Sequence, residues 1–248
     1  MPEVTPTKYI VQAGWDDVPH LSQQTKRELL DSIEPHLRDA RTKGTPSLGS
    51  GAIYPIPLDQ ILIDPFPIPD HWMRVYGLDV GWNRTAAIWG ALDDTNDVLY
   101  LYTEHYRAHA EPSAHAMAVK ARGDWIPGVI DPASRGAMQR DGRRLIMEYQ
   151  SLGLNIMPAE KAASAGIQMV WDRIATGRLI VFRNCQNWQA EYRLYRRNKD
   201  GLVVKENDHL MDATRYLVIS GLQYAKTKPV DIFMPSKART GALTKAGY

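Results

Sequence analysis

Residues 73–82 read Met-Arg-Val-Tyr-Gly-Leu-Asp-Val-Gly-Trp. Their alternation is that of a strand, and Gly81 stops it. Asp79 lies inside this apolar run, where a carboxylate is costly unless it is paired or bound to a cation. Downstream, TAAIWGAL reads as a second strand and VLYLYTEHY as a third, with DDTND as the turn between them. Three strands joined by tight turns make an antiparallel meander. EPSAHAMAVKAR then looks helical, with Pro112 near its start. WIPGVIDPAS holds a short apolar run ending in Asp131, as in a strand buried on both faces.

The alternation of helix and strand continues from there. GRRLIMEYQSLG is a helix closed by Gly153, and LNIMPAEK is a strand. SAGIQMVWDRIATG is a helix capped by Ser164 and ended by Gly177. RLIVF is a strand, NWQAEYRLYRR a helix, and KDGLVVKE an Asp-Gly turn into a strand. NDHLMDATRYLVISGLQYA is a last amphipathic helix. A meander followed by β-α crossovers predicts an α/β fold with a mixed sheet and helices on both faces. In such open sheets the functional crevice lies outside the carboxyl ends of the strands.

Upstream, His20 to Gly44 reads as two short helices meeting near Ser32, the first capped by Ser22 and the second beginning around Pro35. Six prolines between Thr45 and Asp70 exclude a helix and fit an extended linker lying along a domain. The expected organisation is a linker over residues 1–70, a catalytic-type α/β domain over 71–225, and a basic, mobile tail over 226–248.

The chain has 248 residues, 44% of them hydrophobic and 23% charged, which excludes wholesale disorder. No run approaches the roughly 18 apolar residues of a membrane span, and MPEVTPTKYI lacks the pattern of a secretory signal. The single cysteine, Cys185, excludes an internal disulfide framework and is read as inert. His105, His109 and His115 lack metal spacing across Pro112. The net charge is only +2, but Trp171 to Lys205 carries eight basic and three acidic residues. Such a face suits a polyanion, although solvated lysines and arginines alone would give the same count.

Asp131 ends Gly-Val-Ile-Asp, and Asp208 and Asp212 stand four apart at the start of the last helix, able to face the same way. An aspartate at a strand or helix end is commonly a cap. Three aspartates on three elements, two of them ending central strands, are more specific. If the strands of Asp79 and Asp131 are neighbours, the carboxylates converge, repel one another and call for hard divalent cations.

The stretches YGLDVGWNRTAAIWGA, GVIDPAS, Pro158 to Leu179 and ENDHLMDATRY resemble the nuclease domain of the phage terminase large subunit, which is ribonuclease H-like. GWDDVPHLS resembles the linker after that family's ATPase domain, so the likeness covers roughly Gly14 to Leu222. It implies a metal-dependent DNA endonuclease of a viral packaging motor that cuts concatemeric DNA. Asp79, Asp131 and Asp212 match the metal-binding aspartates, and Asp208 is an auxiliary candidate. The implied chemistry is phosphodiester hydrolysis with two Mg²⁺ or Mn²⁺ ions roughly 3.5–4 Å apart. Implied partners are double-stranded DNA, an ATPase domain preceding this fragment, the small terminase subunit and the portal, in the host cell cytoplasm and with no membrane.

Arg84, Lys161, Arg193, Arg196 and Arg197 are candidate DNA contacts, the last three with Tyr192 and Tyr195 as a basic, aromatic surface. Each has a plain alternative as a solvated or amphipathic-helix residue. His209 sits beside the acidic pair and reads best as a helix-start residue. Trp72, Trp82, Trp89, Trp125, Trp171 and Trp188 mostly fall in apolar runs and are expected in the core. A Walker loop is not formed, because Ser50 and Gly51 follow Gly49 where Lys and Ser/Thr are needed. A nuclease fragment without motor activity is therefore expected. Asp79 to Thr85 does spell the D-x-G-x-x-x-T of sugar kinases and actin-like ATPases, but Pro132, Ala133 and Ser134 follow Asp131 in place of a second glycine-rich turn. A non-catalytic module docking on DNA or portal is the other rival, separable by metal-dependent cleavage of plasmid DNA.

Overall fold

The structure is a computed structural model that describes residues 13–18, 20–33, 42–43, 51–135 and 145–229. Seven strands form one mixed sheet in the order β1-β7-β4-β3-β2-β5-β6. The meander is β2 (Met73–Asp79), β3 (Thr85–Asp93) and β4 (Val98–Arg107), antiparallel throughout. β5 (Gly128–Ile130) joins β2 in parallel, and β6 (Ile156–Pro158) joins β5 in parallel. On the other side β7 (Leu179–Phe182) pairs in parallel with β4.

The two faces of β2 explain its alternation. Val75 points into a core shared with α4 (Ala163–Ala175), α5 (Gln186–Leu194) and α6 (His209–Tyr216). Tyr76 and Leu78 point into a second core with α2 (Pro112–Lys120) and α3 (Leu145–Ser151). Gly77 is needed on the α6 side, because a Cβ there would stand 2.0 Å from the Ala213 carbonyl oxygen. This close approach of strand and helix presses Asp79 against the first turn of α6. β5 is buried along its whole length, as a strand covered on both faces must be.

Several boundaries differ from expectation for identifiable reasons. The proline-rich segment contributes β1 (Leu62–Ile63), which pairs in parallel with β7, while Tyr54, Leu58 and Ile61 enter the core. α1 (Gln23–Ser32) is capped by the Ser22 side chain, which accepts from the Thr25 amide. Most of the second helix expected before Gly44 lies outside the described residues. α4 begins two residues early, with Ala162 in place of Ser164 at the N-cap, so Ser164 falls inside its first turn. α5 stops at Leu194, where Tyr195 turns extended and buries its ring against Tyr54. The expected strand in KDGLVVKE is a turn instead: the Asn198 side chain accepts from the Asp200 and Leu202 amides, leaving one bridge between Arg197 and Val203. The last helix continues past α6 as a π turn, Leu217–Gly221, and a 3-10 turn, Leu222–Tyr224. The tail beyond residue 229 lies outside the described residues, but its first residues are tied down: Lys226 pairs with Arg74, and the Lys228 ammonium lies 3.1 Å from Asp70. No described helix is long and apolar enough to cross a membrane.

Candidate active site

Adjacent parallel strands β2 and β5 bring Asp79 and Asp131 to the same sheet edge, at their carboxyl ends, and the start of α6 supplies Asp208 and Asp212. One phenol reports how these charges are gathered. The Tyr216 hydroxyl lies 3.3 Å from Asp131 Oδ1. Burial, and then the negative charges of Asp212, Asp131 and Asp79, all push its ionisation upward. Asp79 senses the same field: burial raises its carboxyl above the usual range, and Asp212 and Asp131 add to this against the relief from His209.

The cations here differ in how firmly they are held. The Lys205 ammonium bridges Asp212 Oδ2 at 2.8 Å and Asp208 Oδ2 at 3.0 Å, yet its side chain is 64% exposed. His209 Nδ1 lies 2.9 Å from Asp79 Oδ2, a bond that raises the imidazole above its usual value. Arg215 is buried and fixed, its Nη2 lying 2.9 Å from Asp212 Oδ1. Gly166 of α4 makes room for its stem, since a Cβ there would stand 2.4 Å from Arg215 Cγ. Among the described residues, no three His, Cys, Asp or Glu side chains are already gathered closely enough to hold a metal ion. In this arrangement the carboxylates are instead satisfied by Lys205, His209, Arg215 and Tyr216.

Asp208 does not cap α6. It sits at the N-cap position, but its side chain makes no capping bond. Glu191 of α5 caps the helix, accepting from the Leu210 amide while Tyr106 donates its hydroxyl to the other oxygen at 2.7 Å. Asp208 is thereby left to face Lys205. Burial raises the Glu191 carboxyl, because it lies beneath α6 with little water.

The candidate DNA contacts divide. Lys161 is exposed on a groove of about 690 Å³ that Pro132, Ala133 and Pro158 also line, immediately beside Asp131. Arg84 is half-buried, its guanidinium 4.4 Å over the Tyr106 ring. Arg193 is half-buried on α5. Arg196 and Arg197 lie beyond that helix: the Arg197 amide donates to the Gly51 carbonyl, and its Nη1 to the Gly201 carbonyl. Tyr192 and Tyr195 are buried against Trp188 and Tyr54, so they offer no aromatic surface to DNA. His105 and His115 do touch, 2.9 Å apart, although their spacing along the chain suggests no metal site. Trp89 and Trp188 are fully buried as expected, whereas Trp82 is not in the core at all.

Lys205, Arg215 and Glu191 were not singled out from the sequence. Only the ENDHLMDATRY stretch, with Arg215 three residues after Asp212, carried a local signal for one of them.

The family described as Terminase RNaseH-like domain matches residues 76–220, which hold Asp79, Asp131, Asp208 and Asp212. The chain belongs to this family. The terminase domain is 31% identical over 210 residues to the large terminase subunits of Salmonella phage P22 and Enterobacteria phage LP7. That alignment takes in 81% of the present chain but only 42% and 44% of those proteins, so the chain spans less than half of their length. Its fold superposes on the P22 large terminase nuclease domain with a TM-score of 0.67 and 30% identity, covering 73% of this chain and 96% of that one. A large terminase from a thermophilic bacteriophage shares the fold at 20% identity (TM-score 0.57, 83% of this chain and 54% of that one).

Proposed function

We propose that this terminase domain is a divalent-cation-dependent DNA endonuclease that cuts concatemeric DNA during viral genome packaging. The observation that supports the reading is geometric: parallel neighbours β2 and β5 end in Asp79 and Asp131, and Asp212 lies in the first turn of the helix packed on β2. The likeness to the P22 nuclease domain at 30% identity supports it.

The donor set suits a hard cation. It consists of carboxylate oxygens, one of them on a residue whose ionised form the fold already penalises. Asp79, Asp131 and Asp212 would hold the ion or ions, and Asp208 would be released with Lys205. Bound Mg²⁺ or Mn²⁺, as a pair, would supply an activated water and neutralise charge on the leaving 3′ oxygen. The chain's own residues set up the rest. Arg215 fixes the Asp212 carboxylate through its Oδ1 and leaves Oδ2 to the exchangeable Lys205. His209 holds the Asp79 carboxylate through Oδ2, and Tyr216 orients Asp131. Lys161, on the groove beside Asp131, is placed to meet the phosphate backbone, a contact that positions DNA without reading its sequence.

The test is nicking of supercoiled plasmid. Cutting should require Mg²⁺ or Mn²⁺, stop with chelator, and fall to background in Asp212→Asn while Asp208→Asn only weakens it. Undiminished cutting in excess EDTA would refute the reading. A folded Asp212→Asn that cuts at the wild-type rate would refute the ligand assignment. An ATPase domain, the small terminase subunit and the portal enter this proposal as partners of the longer protein in which such a domain would work, in the host cytoplasm.

A further inference from the structure

Trp82 is 62% exposed, whereas none of the six other tryptophans is an exposed residue. It stands three residues after Asp79, in the turn that leaves β2 at the aspartate edge. A single exposed indole is ordinary on a protein surface; this one is held in place next to the aspartate edge, with its ring largely open to solvent.

The turn holds the ring in place. Gly81 permits the tight path, since a Cβ there would stand 2.9 Å from the Arg84 carbonyl oxygen. The Thr85 hydroxyl donates to the Gly81 carbonyl at 3.0 Å. The His109 amide donates to the Trp82 carbonyl at 3.0 Å, and the imidazole packs 5.8 Å from the indole. His109 adopts φ +48°, a left-handed conformation that a residue with a side chain reaches only at a cost. That backbone conformation sets His109 against one side of Trp82. The exposed Asn83 and the half-buried Arg84 follow Trp82 in the same turn, and the exposed Arg107 stands two residues before His109. Thr85, just after the turn, pairs with Arg107 across β3 and β4. An exposed indole in a turn that also carries arginine matches a base with its phosphates.

Resting on the nuclease reading above, we propose that Trp82 is a stacking platform for an unpaired base of the DNA strand entering the aspartate edge. Bases inside a duplex are already stacked on one another and offer no free face. The platform therefore favours single-stranded, flapped or frayed DNA over intact duplex, and it tolerates any sequence because every base has a π face.

The experiment measures binding of fluorescently labelled single-stranded and duplex DNA to the full chain in EDTA, for wild type, Trp82→Ala and Trp82→Phe, with a thermal melt of each. Trp82→Ala should weaken single-strand binding about tenfold. Duplex binding should change far less, and Trp82→Phe should restore most of the loss. Single-stranded DNA should also quench the long-wavelength tryptophan emission of wild type, a component missing from Trp82→Ala. A folded Trp82→Ala that binds single strands as wild type does would overturn the platform and leave the nuclease reading intact, provided wild type cuts plasmid with Mn²⁺. If wild type neither binds DNA nor cuts it with Mn²⁺, the nuclease reading falls and takes this proposal with it.

Discussion

At the β3–β4 turn, beside the start of β2, Asp97 receives Arg173 at 2.9 Å and Arg178 at 2.7 Å. The Arg173 hydrogen bond first, joined by that of Arg178, holds its carboxyl below the usual range against the opposing effect of burial. At the far end of the same strand, Asp79 is more deeply placed and its carboxyl lies above the usual range, with burial the leading cause and two further aspartates adding to it. The residue type is the same and the outcome is opposite. Asp97 ties the turn to α4 and to the start of β7 and has all the positive charge it needs. The Asp79 edge has one fixed cation, Arg215 on Asp212, for four aspartates, besides a histidine that can lose its proton and a lysine that can swing away. A carboxylate cluster short of fixed positive charge is what a cation-binding edge requires, and a stabilising ion pair is what a sheet end requires.

The largest expected effect separates the two ends most sharply. Asp79→Asn should bring plasmid cutting to background and yet raise the melting temperature at neutral pH. The sign follows from the raised carboxyl: the unfolded chain releases that proton at lower pH than the folded one, so the ionised form opposes folding. The asparagine keeps the shape and a partner for His209. A melting temperature that falls as far as it does for a core substitution would break the comparison.

A second cluster tests whether burial without a fixed partner charge does what is claimed for Asp79. His105 is paired with His115 and held neutral down to about pH 4, by burial first and then by His115, Arg122 and Arg107. Unfolded, it takes its proton near the ordinary value of about 6.5. The unfolded chain therefore binds more protons between these values. The stability involved is fully present above pH 6.5 and is lost as pH falls toward 4, on the order of 2 kcal/mol. His105→Gln should flatten that part of the profile in a denaturant titration series. An unchanged profile would mean that burial acts more weakly than the comparison assumes.

The smallest effect belongs to the saturated end. Asp97→Asn should cost about 0.5 kcal/mol, discounted because the carboxylate is half-exposed. The difference from wild type should be present above the ordinary aspartate range and vanish as pH falls through the lowered folded value. Plasmid cutting should not change. Loss of cutting in Asp97→Asn would show that the two ends are not independent.

The sheet was legible because its signals are local. Alternation marks β2 to β4, and the apolar run ending in Asp131 marks β5, so both aspartates could be placed at strand ends from the chain alone, while the pairing of β2 with β5 came with the fold. β1 was hidden because two residues in a proline-rich segment carry no period. Glu191, Lys205 and Arg215 were hidden for a different reason. The partners of Glu191 are set by the packing of α5 against α6, whereas Lys205 and Arg215 do stand three residues from Asp208 and Asp212, a spacing that solvated surface pairs share. Asp208 looks like a cap in sequence because the true cap lies 17 residues away, in Glu191. Arg196 and Arg197 look helical because their stretch is amphipathic, but the burial of the Tyr195 ring ends the helix first.

On the proposed function, the Asp79 edge takes a cation that the Asp97 end does not. Crystals soaked in Mn²⁺ test it most directly through anomalous difference density. A peak is expected among Asp79, Asp131 and Asp212, with the Lys205 ammonium withdrawn from Asp212 and nothing at Asp97. Manganese bound elsewhere, in a protein that still cuts plasmid with Mn²⁺, would contradict it.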